Sequence, residues 1–296
     1  MPYLQLTVDI GARDPQTLED ALFEAGAVSV TLLDAADDPV LEPAPGQTPL
    51  WPTIVVRALF DVDADVRGLI DVVRECCGDP SPQPLFERIE DRAWEREWLK
   101  DFRPMRFGER LWVCPGGMPA GEPDAVRIEL DPGLAFGTGT HATTRLCLEW
   151  LDGLPAPALQ DRAVIDYGCG SGILAIAAVK LGAAGAAAMD IDPQALLATR
   201  QNAERNGVSD QVQTTADPQV EGRTADALLA NILAGPLVEL APQLAARVRP
   251  GGVLALSGLL VEQATTVAEA YRPWFDIGPI GTSDGWALLT GRRRAP

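Results

Sequence analysis

The chain has one histidine, five cysteines, and 24 Lys and Arg residues against 42 Asp and Glu. Each shortage excludes a class of chemistry. With His141 alone, a Ser-His-Asp or Cys-His mechanism must run through that one residue, and sites built on several histidine ligands are ruled out. Cys76, Cys77, Cys114, Cys147 and Cys169 include no Cys-x-x-Cys pair. That odd set fits reduced thiols better than a disulfide framework or a zinc site, and no metal is expected. The formal charge is −18 and the isoelectric point about 4.4. Affinity for a phosphate backbone is built on Lys and Arg, so direct nucleic-acid binding is not expected. Met1-Pro2-Tyr3-Leu4-Gln5 shows no cationic region followed by an apolar run, and no stretch has the length and apolarity of a membrane span. These absences predict a soluble, cytoplasmic protein with no membrane partner.

What is present describes a folded chain of roughly two domains: 296 residues, 47% of them hydrophobic and 22% charged. Its acidity is uneven. Residues 1–86 hold fifteen Asp and Glu against four Arg, a net of −11, whereas residues 105–296 hold twenty-one acidic against fifteen basic, a net of −6. In the acidic part, Leu4, Leu6, Val8 and Ile10 alternate with other residues as in a strand with one buried face. Asp14-Pro15 opens a helix that Gly26 closes. Strands are expected over Val28–Leu33, Ile54–Phe60 and Leu85–Ile89, with a second helix from Asp65 to Cys77 and an exposed loop from Asp34 to Pro52. The order β-α-β-β-α-β is a ferredoxin-like split unit. Modules of this topology that bind RNA stack bases on strand aromatics within a basic surface. This one is acidic with few strand aromatics, so it is read as a protein-binding or positioning domain, or as one that only stabilises the chain. Trp94, Trp98 and Phe102 at i, i+4 and i+8 form one stripe of a connecting helix. The expected division is a small α+β domain over 1–90, a connector over 91–104, and a larger α/β domain over 105–296.

The larger domain carries the chemistry. Val164-Ile165-Asp166-Tyr167-Gly168-Cys169-Gly170-Ser171-Gly172-Ile173 runs from an apolar strand through a glycine-rich turn into a helix, the first βα unit of a doubly wound sheet. Side chains in that turn would collide with a ligand approaching the backbone. A second strand, Ala186–Met189, ends in Asp190, where such folds hydrogen-bond ribose hydroxyls. Asp192, Pro193 and Gly207 delimit the next helix. The glycine spacing departs from Gly-x-Gly-x-x-Gly, since Ile173 stands where the last glycine belongs, which disfavours a nicotinamide-dependent dehydrogenase. Asp166 would repel a pyrophosphate but suits a cationic ligand, and S-adenosylmethionine carries an ammonium and a sulfonium. A third apolar strand ends in Asn231-Ile232-Leu233-Ala234. There Asn231 either orients an amine through its side-chain oxygen or caps the strand end. The lack of an aromatic after Asn231 suits an aliphatic amine. Upstream, the polar stretch Asp131–Thr144, with Phe136, Gly137 and Thr138, feeds a helix that begins near Thr143; its small residues can close over a ligand and Thr144 can hydrogen-bond it. His141 is read there as a hydrogen-bonding partner more than as a catalyst.

The blocks DPGLAFGTGTH-x-TT, VIDYGCGSGILAIAA, DIDPQA and ANILAGPL, in this order, resemble the bacterial ribosomal protein L11 methyltransferase family, PrmA. The resemblance spans most of the chain. It implies a doubly wound, Rossmann-like class I methyltransferase sheet preceded by a ferredoxin-like domain that holds the substrate. It also implies S-adenosylmethionine-dependent methylation of lysine ε-amines and the α-amine of one basic large-subunit ribosomal protein. Carried over by motif, the cofactor contacts are Thr144, Gly168, Asp190 and Asn231, with Asn231 also orienting the substrate amine; Phe136, Gly137, Thr138, Asp166 and Gly170 join the cofactor set. Where the family usually has proline after the loop histidine, this chain has Ala142. A monomer is the expected state. The rival reading is a small-molecule amine methyltransferase using the same cofactor, which accounts for the second domain but not for the acidic front domain; a cofactor-binding scaffold without catalysis would need no Asn231.

Overall fold

The computed structural model describes residues 2–36, 51–78, 80–89, 103–119, 121–122, 124–130, 141–155, 158–216 and 224–295. The chain divides into two compact units, residues 1–97 and 98–296. The Trp94/Trp98/Phe102 stripe and most of the Asp34–Pro52 loop lie outside the described residues.

In the first unit the strands are β1 (Tyr3–Gly11), β2 (Ser29–Asp34), β3 (Ile54–Asp61) and β4 (Leu85–Ile89), and the helices α1 (Gln16–Glu24) and α2 (Val66–Cys77). The sheet order is β2-β3-β1-β4 with every paired neighbour antiparallel. This is the split βαβ arrangement expected from the element order. Alternation builds its core: Leu6, Val8 and Ile10 of β1 and Ile54, Val56, Ala58 and Phe60 of β3 are buried with Leu18, Leu22, Leu69 and Val73 of the helices. Asp14 accepts a hydrogen bond from the Gln16 amide (3.0 Å) one residue ahead of Pro15, the N-cap of α1, and Asp65 is itself the N-cap of α2, accepting from the Arg67 amide (3.1 Å).

The second unit opens with a small sheet, β5 (Met105–Phe107), β6 (Leu111–Cys114) and β7 (Val126–Glu129), which the sequence pattern did not single out. Then follow α3 (Ala142–Gly153), β8 (Ala163–Tyr167), α4 (Ile173–Lys180), β9 (Gly185–Met189), α5 (Pro193–Arg205), β10 (Val212–Thr215) and β11 (Ala225–Asn231). The chain ends with α6 (Ala234–Glu239), α7 (Ala241–Ala246), β12 (Val248–Leu260), α8 (Ala264–Tyr271), β13 (Phe275–Ile277), β14 (Gly281–Ser283) and β15 (Trp286–Arg293). The large sheet runs β10-β9-β8-β11-β12-β15-β13, with β14 also on β15. The first five strands are parallel, and β15 joins antiparallel.

Successive residues of the central strands feed different cores, which is the physical content of a doubly wound sheet. Val164, Ala227, Leu229, Ala255 and Leu288 pack into one core with Leu146, Cys147 and Leu151 of α3 and the apolar run Ile173–Val179 of α4. Ile165, Leu228, Ala230, Leu254, Leu256 and Leu289 pack into the other with Leu237, Leu244, Val267 and Tyr271 of α6 to α8. Because both faces are covered, the edge formed by the carboxyl ends of the parallel strands is the natural place for a ligand.

Candidate active site

At that edge lies a cleft of about 650 Å³. The described residues lining it are His141 and Thr143 from α3 and its cap, Tyr167, Gly168 and Gly170 after β8, Met189, Asp190 and Ile191 after β9, Asn231, Ile232, Leu233, Pro236 and Leu240 after β11, Gly258 of β12 and Trp286 of β15.

The glycine turn is fixed from several sides. The amides of Gly168 and Cys169 donate to the Met189 carbonyl (2.8 and 2.9 Å), the Gly170 amide donates to Asp190 Oδ2 (2.9 Å), and the Gly172 amide to the Cys169 carbonyl (2.8 Å). From α5, the Thr199 hydroxyl donates to the Gly170 carbonyl (3.0 Å) and the Asn202 amide to the Ser171 carbonyl (2.9 Å). With four amides of the turn spent on protein acceptors, it is not a phosphate cradle, in agreement with the glycine spacing. Gly168 has φ +74°, and a Cβ there would overlap the Ile232 side chain; Gly258 has φ +85°, and a Cβ there would overlap the Ile232 backbone. Ile232 thus occupies a slot that two glycines, ninety residues apart, leave open.

Asp190 ties the turn to the next helix, since its other oxygen accepts the Asp192 amide (3.0 Å). An ionised carboxylate has about four lone-pair sites, so two remain for hydroxyl donors from the cleft. Asn231 is the last residue of β11. Its Nδ2 donates to Thr144 Oγ1 (3.4 Å), while its Oδ1 is buried without a hydrogen-bond partner. A buried acceptor left unmade costs about 1–3 kcal/mol, and this one lies on a residue that lines the cleft, where an N–H donor would satisfy it.

The remaining expected residues are placed as follows. Thr144 is buried (1% exposed) against Asn231, behind the cleft rather than on its lining. Asp166 also sits off the lining: 1% exposed, it accepts the Ala175 amide of α4 through Oδ2 (3.0 Å), and its Oδ1 has no hydrogen-bond partner. Asp166, expected among the cofactor residues, is thus joined to the first turn of α4 at the base of the glycine turn. Burial, above all, raises its pKa to about 7, opposed by the Ala175 hydrogen bond and reinforced by Asp190. Phe136, Gly137 and Thr138 fall outside the described residues. His141 is the N-cap of α3: its Nδ1 lies 3.4 Å from the Thr143 amide and 2.7 Å from Thr143 Oγ1. Its pKa is lowered by burial.

Sequence reasoning missed Trp286 and Gly258. Trp286 follows Asp284-Gly285, both at positive φ (+49° and +79°), a two-residue hairpin turn between β14 and β15. That dipeptide was a local signal for the turn, but nothing local says that the tryptophan faces a ligand cleft. Among the described residues no group of His, Cys, Asp and Glu is arranged to hold a metal, and no helix is long and apolar enough to cross a membrane.

Comparison with known proteins gives a consistent picture. The family described as ribosomal protein L11 methyltransferase (PrmA) matches residues 2–294. A ribosomal protein L11 methyltransferase of Pseudomonas paraeruginosa is 54% identical over 298 residues, covering 100% of both chains. One from Pseudomonas putida is 54% identical over 295 residues, 99% of this chain and 100% of the relative. Among solved structures, a ribosomal protein L11 methylase from Lactobacillus delbrueckii subsp. bulgaricus is similar, with TM-score 0.59 and 32% identity; the match covers 66% of this chain and 100% of that one.

Proposed function

The chain belongs to the ribosomal protein L11 methyltransferase family, and from that premise we propose that it transfers methyl groups from S-adenosylmethionine to lysine ε-amines and the N-terminal α-amine of ribosomal protein L11, acting as a cytoplasmic monomer without direct contact to nucleic acid. The observation that carries the amine chemistry is Asn231, which lines the cleft and whose Oδ1 is a buried acceptor without a hydrogen-bond partner. The residues present also fit the cofactor. Asp190 has lone pairs for ribose hydroxyls, the turn of Gly168 and Gly170 gives close backbone approach, and the cleft has the volume of a small-molecule site. When bound, S-adenosylmethionine supplies a methyl group on a sulfonium, and the carbon–sulfur pair stays with sulfur as the amine lone pair forms the new carbon–nitrogen bond.

The chain's own contribution is positioning. Holding an amine and a methyl donor at near-attack distance supplies much of the acceleration of such a displacement. Asn231 is suited to this because Thr144 fixes its amide from behind, leaving Oδ1 to accept an N–H of the amine. The amine must arrive neutral. At pH 7 that costs a lysine of pKa about 10.4 roughly 4–5 kcal/mol, and an α-amine near 8 only about 1 kcal/mol. No base is assigned among the described cleft residues, and solvent water is an adequate proton acceptor.

The acidic first unit supports a protein substrate over a small amine, because ribosomal proteins are typically basic and opposite charge speeds encounter. Incubation with methyl-labelled S-adenosylmethionine and a lysate containing ribosomal proteins tests the reading. Label is expected on L11, at lysines and the N-terminus; label confined to a low-mass amine would overturn it in favour of the small-molecule alternative.

A further inference from the structure

The cleft has a second wall, which the cofactor contacts leave unused. We propose that Trp286 and His141 form the corner that receives the acceptor amine, with the indole face meeting the positive charge that the nitrogen gains as it takes the methyl. The inference rests on the amine-methylation reading above and adds the residues that recognise the acceptor.

Strand order carries the argument. Along the sheet edge the cleft residues follow in the order Asp190 after β9, Gly168 after β8, Asn231 on β11, Gly258 on β12 and Trp286 on β15. Neighbouring strands lie about 4.8 Å apart. Asp190 to Asn231 therefore spans two steps, roughly 10 Å, and Trp286 stands two steps, roughly 10 Å, beyond. With ribose hydroxyls on Asp190, the rest of the cofactor would extend toward Asn231, and the Trp286 end is the part of the edge left for an acceptor amine.

The two rings there meet edge to face, with centroids 4.8 Å apart and planes at 67°, so they stand at an angle to each other rather than in a flat stack. Both are held. His141 is fixed as the α3 cap against Thr143 (2.7 Å). Trp286 is fixed by the Asp284-Gly285 turn and by pairing with Ser283 on one side and Leu260 on the other. Among the described lining residues Asp190 is the one carboxylate, and it lies at the opposite end of the edge. Attraction for a cationic nitrogen at the Trp286 end must then come from an aromatic face and an amide oxygen. Trp is the best aromatic partner for a cation. His141, its pKa lowered by burial, adds no like charge at neutral pH.

Two measurements test this. In steady-state methylation of L11, Trp286→Leu is expected to lower kcat/KM about tenfold, within the range of a partly desolvated cation–π contact. Its affinity for S-adenosylhomocysteine should stay within about twofold, and Trp286→Phe should recover most of the loss. Unchanged kcat/KM, or an equal loss of cofactor affinity, would overturn the assignment. The second measurement needs no transfer. Short peptides bearing trimethyl-lysine, or its uncharged isostere with carbon in place of nitrogen, are titrated into the wild-type protein holding S-adenosylhomocysteine, and the Trp286 indole N–H is followed by NMR. About tenfold tighter binding of the charged peptide, with a shift of that resonance, is expected; equal binding of the two peptides, or no shift, overturns the proposal. Wild-type protein that labels no L11 but prefers the charged peptide would sink the L11 reading and leave the aromatic corner standing.

Discussion

On the proposed function, Asn231 is where a single side chain divides binding from chemistry. Its Nδ2 is bonded to Thr144 and its Oδ1 has no hydrogen-bond partner, so on that proposal removing the side chain takes away the amine's acceptor and leaves Gly168 and Asp190 in place. Asn231→Ala is expected to lower kcat about 100-fold, the loss of one hydrogen bond to a developing charge at about 1.5–3 kcal/mol. Cofactor affinity should move less than about threefold. Isothermal titration alongside initial rates checks this, and equal losses in both would reduce Asn231 to a cofactor contact. The expected residues that lie on the cleft lining share one property: Gly168, Gly170, Asp190 and Asn231 each end a parallel strand or lie in the turn after it, and the apolar run that precedes them announces the sheet edge. Trp286 and Gly258 were not legible because they meet the cleft through β15 and β12, whose neighbours are set by a crossover that no local pattern encodes. Thr144 and Asp166 were legible as residues of the motifs but not in their depth: both are buried behind the cleft lining, and a motif cannot show which of two faces a side chain takes.

At the scale of elements, the union of β8 and α4 through Asp166 is the most exposed to pH. The carboxyl is buried, hydrogen-bonded once and partnerless at Oδ1, and its pKa stands at about 7 against an ordinary 3.8. The neighbouring thiols Cys147 and Cys169, both pushed up by burial, stay protonated through this range, and Asp190 adds a negative charge that opposes ionisation. A raised folded-state pKa means that the native state binds more protons than the unfolded chain between these two values. The stabilisation is complete below pH 3.8 and is lost as pH rises through about 7. Asp166→Asn keeps an acceptor for the Ala175 amide and never ionises. The gap in Tm between variant and wild type, measured without ligand, should therefore widen from pH 5 to pH 8 in favour of the variant; a gap that does not change with pH would show that Asp166 titrates normally. Elements with strong periodicity, or with apolar runs bounded by glycines and cap residues, were readable in advance: β1, β3 and α2 by the first, and the β8–α4–β9–α5 run by the second, match their expected positions to within a residue or two. The short sheet of β5, β6 and β7 was not, because three- and four-residue strands carry too little alternation to stand out.

For the whole molecule, the unequal division of charge makes a prediction about rates. The net of −11 in residues 1–86 and −6 in residues 105–296 puts most of the field on the unit that carries no cofactor motif. If that field recruits a basic protein, encounter must weaken with ionic strength, because raising salt from about 0.01 to about 0.1 M shortens the screening length from about 30 to about 10 Å. The kcat/KM for L11 is expected to fall about tenfold over this range, mainly through association, as for electrostatically steered partners. A short lysine peptide, too small to engage the acidic unit, should show little change in the same assay. Asp61, Asp63 and Asp65 are all exposed and adjacent at the end of β3 and the start of α2. Converting the three to Asn should flatten the salt dependence for L11 and leave both the peptide rate and the cofactor affinity alone. Parallel salt dependence for protein and peptide would mean that the charge acts at the cleft or not at all, and that the first unit's acidity serves solubility.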